Sequence, residues 1–259
     1  MMFNLFKKKE NKRTFETLGI DIHCHLLPLV DDGSRSLEES LDVMEAMKEV
    51  GFDEIVLTPH FNLKYANTED DIHRRYESFM GEVDQYRSSR NLPIIKCVGG
   101  EYRLDDRFKK YKEGNMNVVH SVNPKDESAK GILLFELPLH QPVLGAEQEI
   151  FDLQMEGYDI ILAHPERYPY YNSSSEAMQQ FKEQGVYFQV NILSLDGFYG
   201  EASMMKAYDY IDHGWVVFLA TDMHDIRYGN ALRHASKNKR IIKLLKEHTF
   251  QNRNYFLNH

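Results

Sequence analysis

An α/β fold of seven strand–helix units closed as a parallel barrel is what this 259-residue sequence predicts, and three observations lead there. Short apolar runs alternate with stretches of helical periodicity from residue 19 to residue 248. No low-complexity stretch and no Pro-, Gly- or Ser-rich linker interrupts them, so one large domain accommodates the whole series. Six of the seven strands end on His, Glu or Asp, and right-handed crossovers bring the carboxyl ends of parallel strands to one face. An open, doubly wound sheet satisfies the same alternation and stands as the alternative.

The first strand, 19–25, is apolar until its end. Ser36-Leu37-Glu38-Glu39 reads as a capping box and opens a helix that Leu41, Met44 and Met47 continue and Gly51 stops. Residues 54–57 form the second strand, closing with Thr58-Pro59-His60, and a polar helix follows over about 70–90. The third strand, 93–98, runs into Gly99-Gly100-Glu101, and the fourth, 131–137, carries Glu136. A helix over 145–157 precedes the fifth strand, 159–163, which ends in His164-Pro165-Glu166-Arg167. Helix 174–185, strand 186–192, helix 201–213 and strand 215–220 complete the series, the last strand ending in Thr221-Asp222-Met223-His224. A final helix is expected over 228–248, and the longest irregular stretches are 61–71 and 105–130.

Composition narrows the function classes. With 42% hydrophobic and 12% aromatic residues the chain can bury a sizeable core. A net charge of −9 disfavours a nucleic-acid-binding face, so no nucleic acid is expected as partner. Two cysteines, Cys24 and Cys97, fit a reducing compartment rather than a disulfide scaffold. No apolar run reaches membrane-spanning length, and the opening Met1-Met2-Phe3-Asn4-Leu5-Phe6-Lys7-Lys8-Lys9 has the wrong order for a secretory signal. The expectation is a cytoplasmic protein with a basic, solvated tail over 1–17 and a single domain over 18–259. Membrane contact is indirect, or made by Phe3, Leu5 and Phe6 dipping into an anionic surface beside the lysines.

Chemistry gathers at the strand ends. Alternation along the first strand puts Asp21, His23 and His25 on one face and Ile20, Ile22 and Cys24 on the other. Buried imidazoles and carboxylates without partners lose their hydration, and a cation removes that penalty. Asp222 and His224 repeat the alternate spacing of His23 and His25. Taken strand by strand, the candidate ligands are His23, His25, Asp32, His60, Glu101, Glu136, His164, Asp222 and His224. All offer nitrogen or oxygen, a set suited to manganese, iron or zinc and unlike a structural thiolate zinc site. They outnumber the ligands of one ion; three divalent ions sharing a bridging carboxylate account for them. Four carboxylates then leave a surplus of two positive charges, which a phosphate monoester dianion brings near neutrality.

Asp21-Ile22-His23-Cys24-His25, Val30-Asp31-Asp32-Gly33, Thr58-Pro59-His60, Gly100-Glu101-Tyr102-Arg103, Phe135-Glu136-Leu137-Pro138, Ala163-His164-Pro165-Glu166-Arg167-Tyr168 and Thr221-Asp222-Met223-His224 resemble the PHP superfamily. The His-Pro-Glu-Arg-Tyr segment, with Ser194, Gly197 and Gly200, is similar to its bacterial metal-dependent protein-tyrosine phosphatases of capsule and exopolysaccharide clusters. The resemblance covers about residues 18–235. It implies a distorted (β/α)7 TIM-like barrel, the PHP fold, holding three metal ions, manganese foremost. His23, His25, Glu101 and Asp222 would hold the first; Glu101 would bridge to a second with Glu136 and His164; Asp32, His60 and His224 would hold the third. Asp21, from strand parity, is expected to orient an imidazole. The implied partner is a phosphotyrosine protein, an autophosphorylating bacterial tyrosine kinase that regulates polysaccharide export. Two positions depart from the pattern: Gly229 stands where an arginine is common, with Arg227 and Arg233 nearby, and Phe61 stands where a second histidine is common.

The expected reaction is phosphotyrosine hydrolysis, the ions activating water and neutralising phosphoryl oxygens. Arg167 is the candidate planar clamp on those oxygens, with Arg227 a further contact. The leaving phenolate, of pKa about 10, needs little acid assistance, and Asp222 or His224 is the candidate donor. Tyr168 and Tyr199, with Tyr170, Tyr171 and Phe198, are candidates for an aromatic slot around the substrate ring. Cys97 and Arg103 have the Cys-X5-Arg spacing of thiol phosphatases, but Glu101 between them would put an anion in the phosphate loop. Competing readings are a PHP phosphatase for a small phosphomonoester such as histidinol phosphate, a PHP nuclease, and a non-catalytic metal-containing binding module.

Overall fold

The computed structural model describes residues 13–119 and 131–256. Its strands are β1 (Ile20–Cys24), β2 (Glu54–Leu57), β3 (His60–Phe61), β4 (Ile94–Val98), β5 (Glu101–Arg103), β6 (Gly131–Glu136), β7 (Tyr158–Ala163), β8 (Tyr187–Asn191) and β9 (Val216–Ala220). The helices are α1 (Leu37–Val50), α2 (Glu69–Asp84), α3 (Phe108–Lys112), α4 (Ala146–Met155), α5 (Glu176–Glu183), α6 (Ile192–Leu195), α7 (Glu201–Asp212), α8 (Ile226–Ala235), α9 (Lys239–Glu247) and α10 (Asn252–Phe256).

All pairings are parallel, and they divide into a sheet β1-β2-β4 and a sheet β3-β5-β6-β7-β8-β9. The division has a local cause. Pro59 has no N–H to give a ladder, and the Gly99–Gly100 step interrupts the neighbouring strand at the same level. Each of these strands resumes immediately, as β3 and β5, so His60 and Glu101 begin new short strands rather than ending old ones. Cross-links at the break keep the two pieces continuous: Thr58 N donates to Cys24 O at 2.8 Å, Gly99 N to Leu57 O at 2.8 Å and Glu101 N to Pro59 O at 3.0 Å.

The ring closes where β1 meets the end of β9. Cys24 bridges Met223 in parallel, Asp222 N donates to His23 O at 2.9 Å, and His25 N donates to Met223 O at 2.8 Å. Asp21 reinforces this seam, accepting from Thr221 N at 2.8 Å and from Thr221 Oγ1 at 2.7 Å. Counting β2 with β3 and β4 with β5, seven parallel strands make a distorted (β/α)7 barrel, not the open sheet. Alternate strand residues (Ile22, Val56, Leu134, Ile161 and Phe218 among them) form one buried cluster; the intervening Ile55, Phe135, Leu162 and Leu219 pack with the helices.

Helix α1 forms as its sequence dictates: Ser36 Oγ accepts from Glu39 N at 3.2 Å, while Glu39 reaches back to Arg35 N at 2.8 Å. It ends at Gly51, whose φ of 127° suits glycine and whose Cβ, were there one, would lie 2.4 Å from Glu16 N. Within the stretch expected as a solvated tail, Phe15 is fully buried, stacks on Phe52 at 5.7 Å and donates its N–H to Val50 O at 2.9 Å, while Arg13, Glu16 and Thr17 stay exposed. The candidate membrane-dipping residues Phe3, Leu5 and Phe6 lie outside the described residues. Phe15→Ala is expected to lower the unfolding free energy by about 3–5 kcal/mol, seen as a lower urea midpoint at unchanged slope.

Two helix expectations are corrected. The helix expected over 70–90 ends at Asp84, and the single helix expected over 228–248 is two, α8 and α9. Asn238 causes the second break, because its side chain accepts from Arg240 N at 2.8 Å and caps a new start. No helix among the described residues is long and apolar enough to cross a membrane.

Candidate metal centre and active site

All nine candidate ligands lie at the carboxyl ends of the strands, around one cleft. Its base is made by His23, His25, Glu101 and Asp222, all buried. His23 Nε2 is 3.2 Å from His25 Nε2 and 3.4 Å from both Glu101 Oε1 and Asp222 Oδ1. His25 Nε2 is 3.5 Å from Glu101 Oε2 and 3.4 Å from Asp222 Oδ1. Two imidazole nitrogens facing each other share at most one proton, whereas a cation takes both lone pairs. Their other nitrogens are spoken for: His23 Nδ1 bonds Gln189 Oε1 at 2.8 Å, and His25 Nδ1 bonds Asp31 Oδ2 at 2.9 Å. Donating Nδ1–H to these acceptors leaves each Nε2 lone pair aimed inward, the usual arrangement behind a ligating histidine.

Glu101 extends the cluster. Its Oε1 is 3.0 Å from His164 Nε2, and its Oε2 is 2.8 Å from His60 Nδ1. Glu136 lies on the same side, 3.4 Å from His60 Nδ1 and 4.0 Å from His164 Nε2. His60 Nε2 faces Asp32 at 3.3 Å, with His224 Nε2 3.8 Å from the same oxygen. His60 therefore touches both the second and the third expected ligand groups through different nitrogens. Three sets can each gather their donor atoms around one point: His23, His25 and Glu101; His60, Glu101 and Glu136; His25, His60 and His224. His60 Nδ1 and Glu101 Oε2 are buried yet make no hydrogen bond, the state expected of groups whose partner is a cation. The residues present fit the divalent ions.

Electrostatics follow from this crowding. Burial and the His60 ring oppose charging His25, but Asp31 and Asp222 outweigh them and raise its pKa to about 10. Burial pushes Asp31 up, yet His25 and His60 hold it at about 2. Against the same opposing burial, His23, His60 and His164 keep Glu101 far below the usual carboxylate range. His23, His224, His25 and Arg167 do so for Asp222. Burial and the His25 ring lower His224. For Asp222 and His224 alike the shift is toward the form with a free lone pair, which suits ligation.

Backbone strain marks two of these positions. His164 and Asp222 are non-glycine residues at positive φ, 36° and 51°, each costing about 1–3 kcal/mol. His164 follows β7 directly and Asp222 lies two residues past the end of β9, where the turn re-aims each side chain over the barrel mouth. Gly33 serves His25 similarly, since a Cβ there would meet His25 O at 1.9 Å.

The cleft measures about 330 Å³ and carries four arginines, Arg35, Arg103, Arg167 and Arg227, among its acidic and imidazole walls. Anchored cations beside anionic ligands suit an anion bridged to metal. The family described as capsular polysaccharide synthesis, CpsB/CapC, matches residues 19–243. The chain belongs to the CpsB/CapC family. It is 27% identical over 211 residues to the tyrosine-protein phosphatase YwqE of Bacillus subtilis (strain 168), spanning 82% of this chain and 79% of that one. It is 28% identical over 214 residues to the tyrosine-protein phosphatase CpsB of Streptococcus agalactiae, spanning 80% and 83%. A crystal structure reported with YwqE from Bacillus subtilis and CpsB from Streptococcus pneumoniae as unique metal-dependent tyrosine phosphatases superposes with a TM-score of 0.73, 23% identity and coverage of 92% and 95%. The fold is shared more widely: the phosphotriesterase homology protein from Escherichia coli gives a TM-score of 0.53 at 11% identity, over 94% and 99% of the chains.

Within this CpsB/CapC chain the expected substrate residues separate. Arg167 lines the cleft, its Nη1 donating to Asp222 Oδ2 at 2.8 Å and its guanidinium lying 4.4 Å from the Tyr199 ring centroid. Tyr199 thus backs the arginine, not the cleft wall. Tyr168 is not in the cleft: it is fully buried, donates to Ala163 O at 2.8 Å and accepts from Leu137 N at 2.9 Å, tying the ends of β6 and β7. Tyr170 is held against Pro138 O at 2.5 Å, whereas Tyr228 does line the cleft. Arg227 stands at the rim, exposed and paired with Asp225 at 2.6 Å; Arg233 is turned away onto Glu49 at 2.7 Å.

Asp21 holds Thr221 instead of orienting an imidazole. The β1–β2 ladder shifts register between Asp21 and Cys24, so parity counted along the strand does not carry from Asp21 to His23. Asp31 and Gln189 take the orienting role. A further link, Asn191, accepts from Gln189 Nε2 at 2.8 Å and donates to Asp222 Oδ2 at 2.8 Å, so one amide chain joins His23 to Asp222. Arg103 is the other residue missed as part of the site, donating from Nε to Glu136 Oε1 at 2.8 Å. This also disposes of the thiol alternative. Cys97 and Arg103 belong to different strands, burial lifts the Cys97 thiol to about 11, and its Sγ points at Val119 O, 3.6 Å away.

Proposed function

We propose that this protein hydrolyses phosphotyrosine on a protein substrate, an autophosphorylating tyrosine kinase of capsular or exopolysaccharide synthesis, in the cytoplasm. One observation carries the reading: imidazole and carboxylate donors from six of the seven ring strands converge at the base of a cleft edged by arginines. The proposed cofactors are three divalent ions, manganese first among manganese, iron and zinc. His23, His25, Glu101 and Asp222 would hold one, Glu101, Glu136 and His164 a second, and Asp32, His60 and His224 a third, with His60 facing the second group as well. When bound, such ions supply Lewis acidity toward phosphoryl oxygens and activate water near neutral pH.

The chain's own residues do the rest. Asp31 and Gln189 fix the tautomers of His25 and His23, and Asn191 with Arg167 fixes Asp222. Arg167, held from behind by Tyr199, binds the phosphoryl oxygens as the bond to the phenolate breaks, and Arg103 lines the cleft beside Glu136. The phenolate, of pKa about 10, needs little acid assistance, and Asp222 and His224 stay the candidate proton donors.

Metal analysis paired with turnover of a phosphotyrosine peptide tests this. Chelation is expected to abolish turnover and manganese to restore it, while Cys97→Ser leaves it unchanged. Full turnover by metal-free protein, or loss in Cys97→Ser, would refute the reading.

A further inference from the structure

A second groove, about 720 Å³, opens beside the metal-lined cleft, and Arg103 lines both. Its walls come from three loops. Leu63 and Lys64 form one, tied to the second by a 2.7 Å bond from Leu63 N to Asp105 Oδ2. Leu104, Asp105 and Asp106 follow β5, and Pro138 to Leu144 follow β6. The catalytic cleft is walled mainly by charged groups, whereas this groove is mainly apolar. Leu144 is fully exposed and Leu63 is 58% exposed, whereas most leucines among the described residues are buried, Leu29 at 68% being a further exposed one outside the groove. Neither supports the core, so their apolar surface is unexplained by folding.

We propose that this groove binds an apolar side chain adjacent to the phosphotyrosine in the substrate polypeptide, making the enzyme selective for sequence and not only for the phosphoryl group. The inference rests on the phosphatase reading above. Its occupant follows from continuity: a phosphotyrosine entering the cleft leaves its main chain at the mouth, and the next residues cross Arg103. Extended chain advances about 3.3 Å per residue, so only immediate neighbours are placed over the groove. Lys64, 3.8 Å from Asp32, and Arg103, bonded to Glu136, border its cleft side, and Asp105 and Asp106 line it as well. An apolar residue fits between them, while an acidic one meets the aspartates.

The test uses the metal-loaded protein and phosphotyrosine peptides flanked by Leu on either side or by Gly. The Leu-flanked peptides are expected to show kcat/KM about tenfold higher. Leu144→Asp and Leu63→Asp, changes at exposed positions, are expected to erase that preference while free phosphotyrosine is hydrolysed as before. Binding of the same peptides carrying a non-hydrolysable phosphonate, read by fluorescence anisotropy, reports on the groove independently of chemistry. Equal affinity for Leu- and Gly-flanked phosphonates, or a preference intact in both variants, overturns the proposal. So does concentration-dependent self-association that Leu144→Asp abolishes, which assigns the groove to a second copy. Inert free phosphotyrosine would instead count against the phosphatase reading, the phosphonate affinities still deciding the groove.

Discussion

Glu101→Gln is expected to cut phosphotyrosine-peptide turnover by on the order of a thousandfold or more and to lower the metal retained per chain. One carboxylate here faces four imidazoles: His23 at 3.4 Å and His164 at 3.0 Å from Oε1, His25 at 3.5 Å and His60 at 2.8 Å from Oε2. Glutamine keeps the shape but offers one acceptor oxygen, and it turns an NH2 toward nitrogens that must keep their lone pairs. The substitution also removes the charge proposed to be shared between two cations. Folding should persist, because Glu101 makes no ladder bond through its side chain; circular dichroism checks this, and elemental analysis reads the metal. Wild-type metal content with wild-type turnover would exclude Glu101 from the centre.

Arg167→Lys is expected to lower kcat/KM by about a hundredfold with metal content unchanged. The guanidinium spends one nitrogen on Asp222, lies against Tyr199, and keeps further donors for the cleft. An ammonium can replace the ion pair with Asp222 but not the pair and a planar contact to phosphoryl oxygens together. The loss should therefore fall on kcat more than on KM, since the planar contact matches the equatorial oxygens best as the bond breaks. A loss confined to metal affinity would make Arg167 a support for Asp222 alone.

The seven strands were legible because apolar period and punctuation agree along the chain, and the nine donors because strand ends of a parallel sheet share a face. What escaped depended on contacts between distant positions. Gln189 and Asn191 read as ordinary polar residues in a strand until His23 and Asp222 are seen on either side of them. Asp31 and Asp32 are neighbours of one type, and only the turn at Gly33 decides which bonds His25. Asp21 was misread because alternation was carried through a register shift. Tyr168 looked like a substrate contact in an aromatic-rich segment, yet its hydroxyl is consumed by backbone groups of two strands. Phe15 meets Phe52 in a pairing no local pattern announces.

The joint between the first and last strands has a bearing on biosynthesis. It links residues 200 positions apart, Asp21 with Thr221, and sets His23 and His25 beside Asp222 only once that joint forms. A ribosome exposes the amino-terminal histidines long before the matching aspartate exists, and such long-range pairings form late. The growing polypeptide thus has no complete cage to offer a cation. A complete set of donors exists only in a chain whose first and last strands have already met.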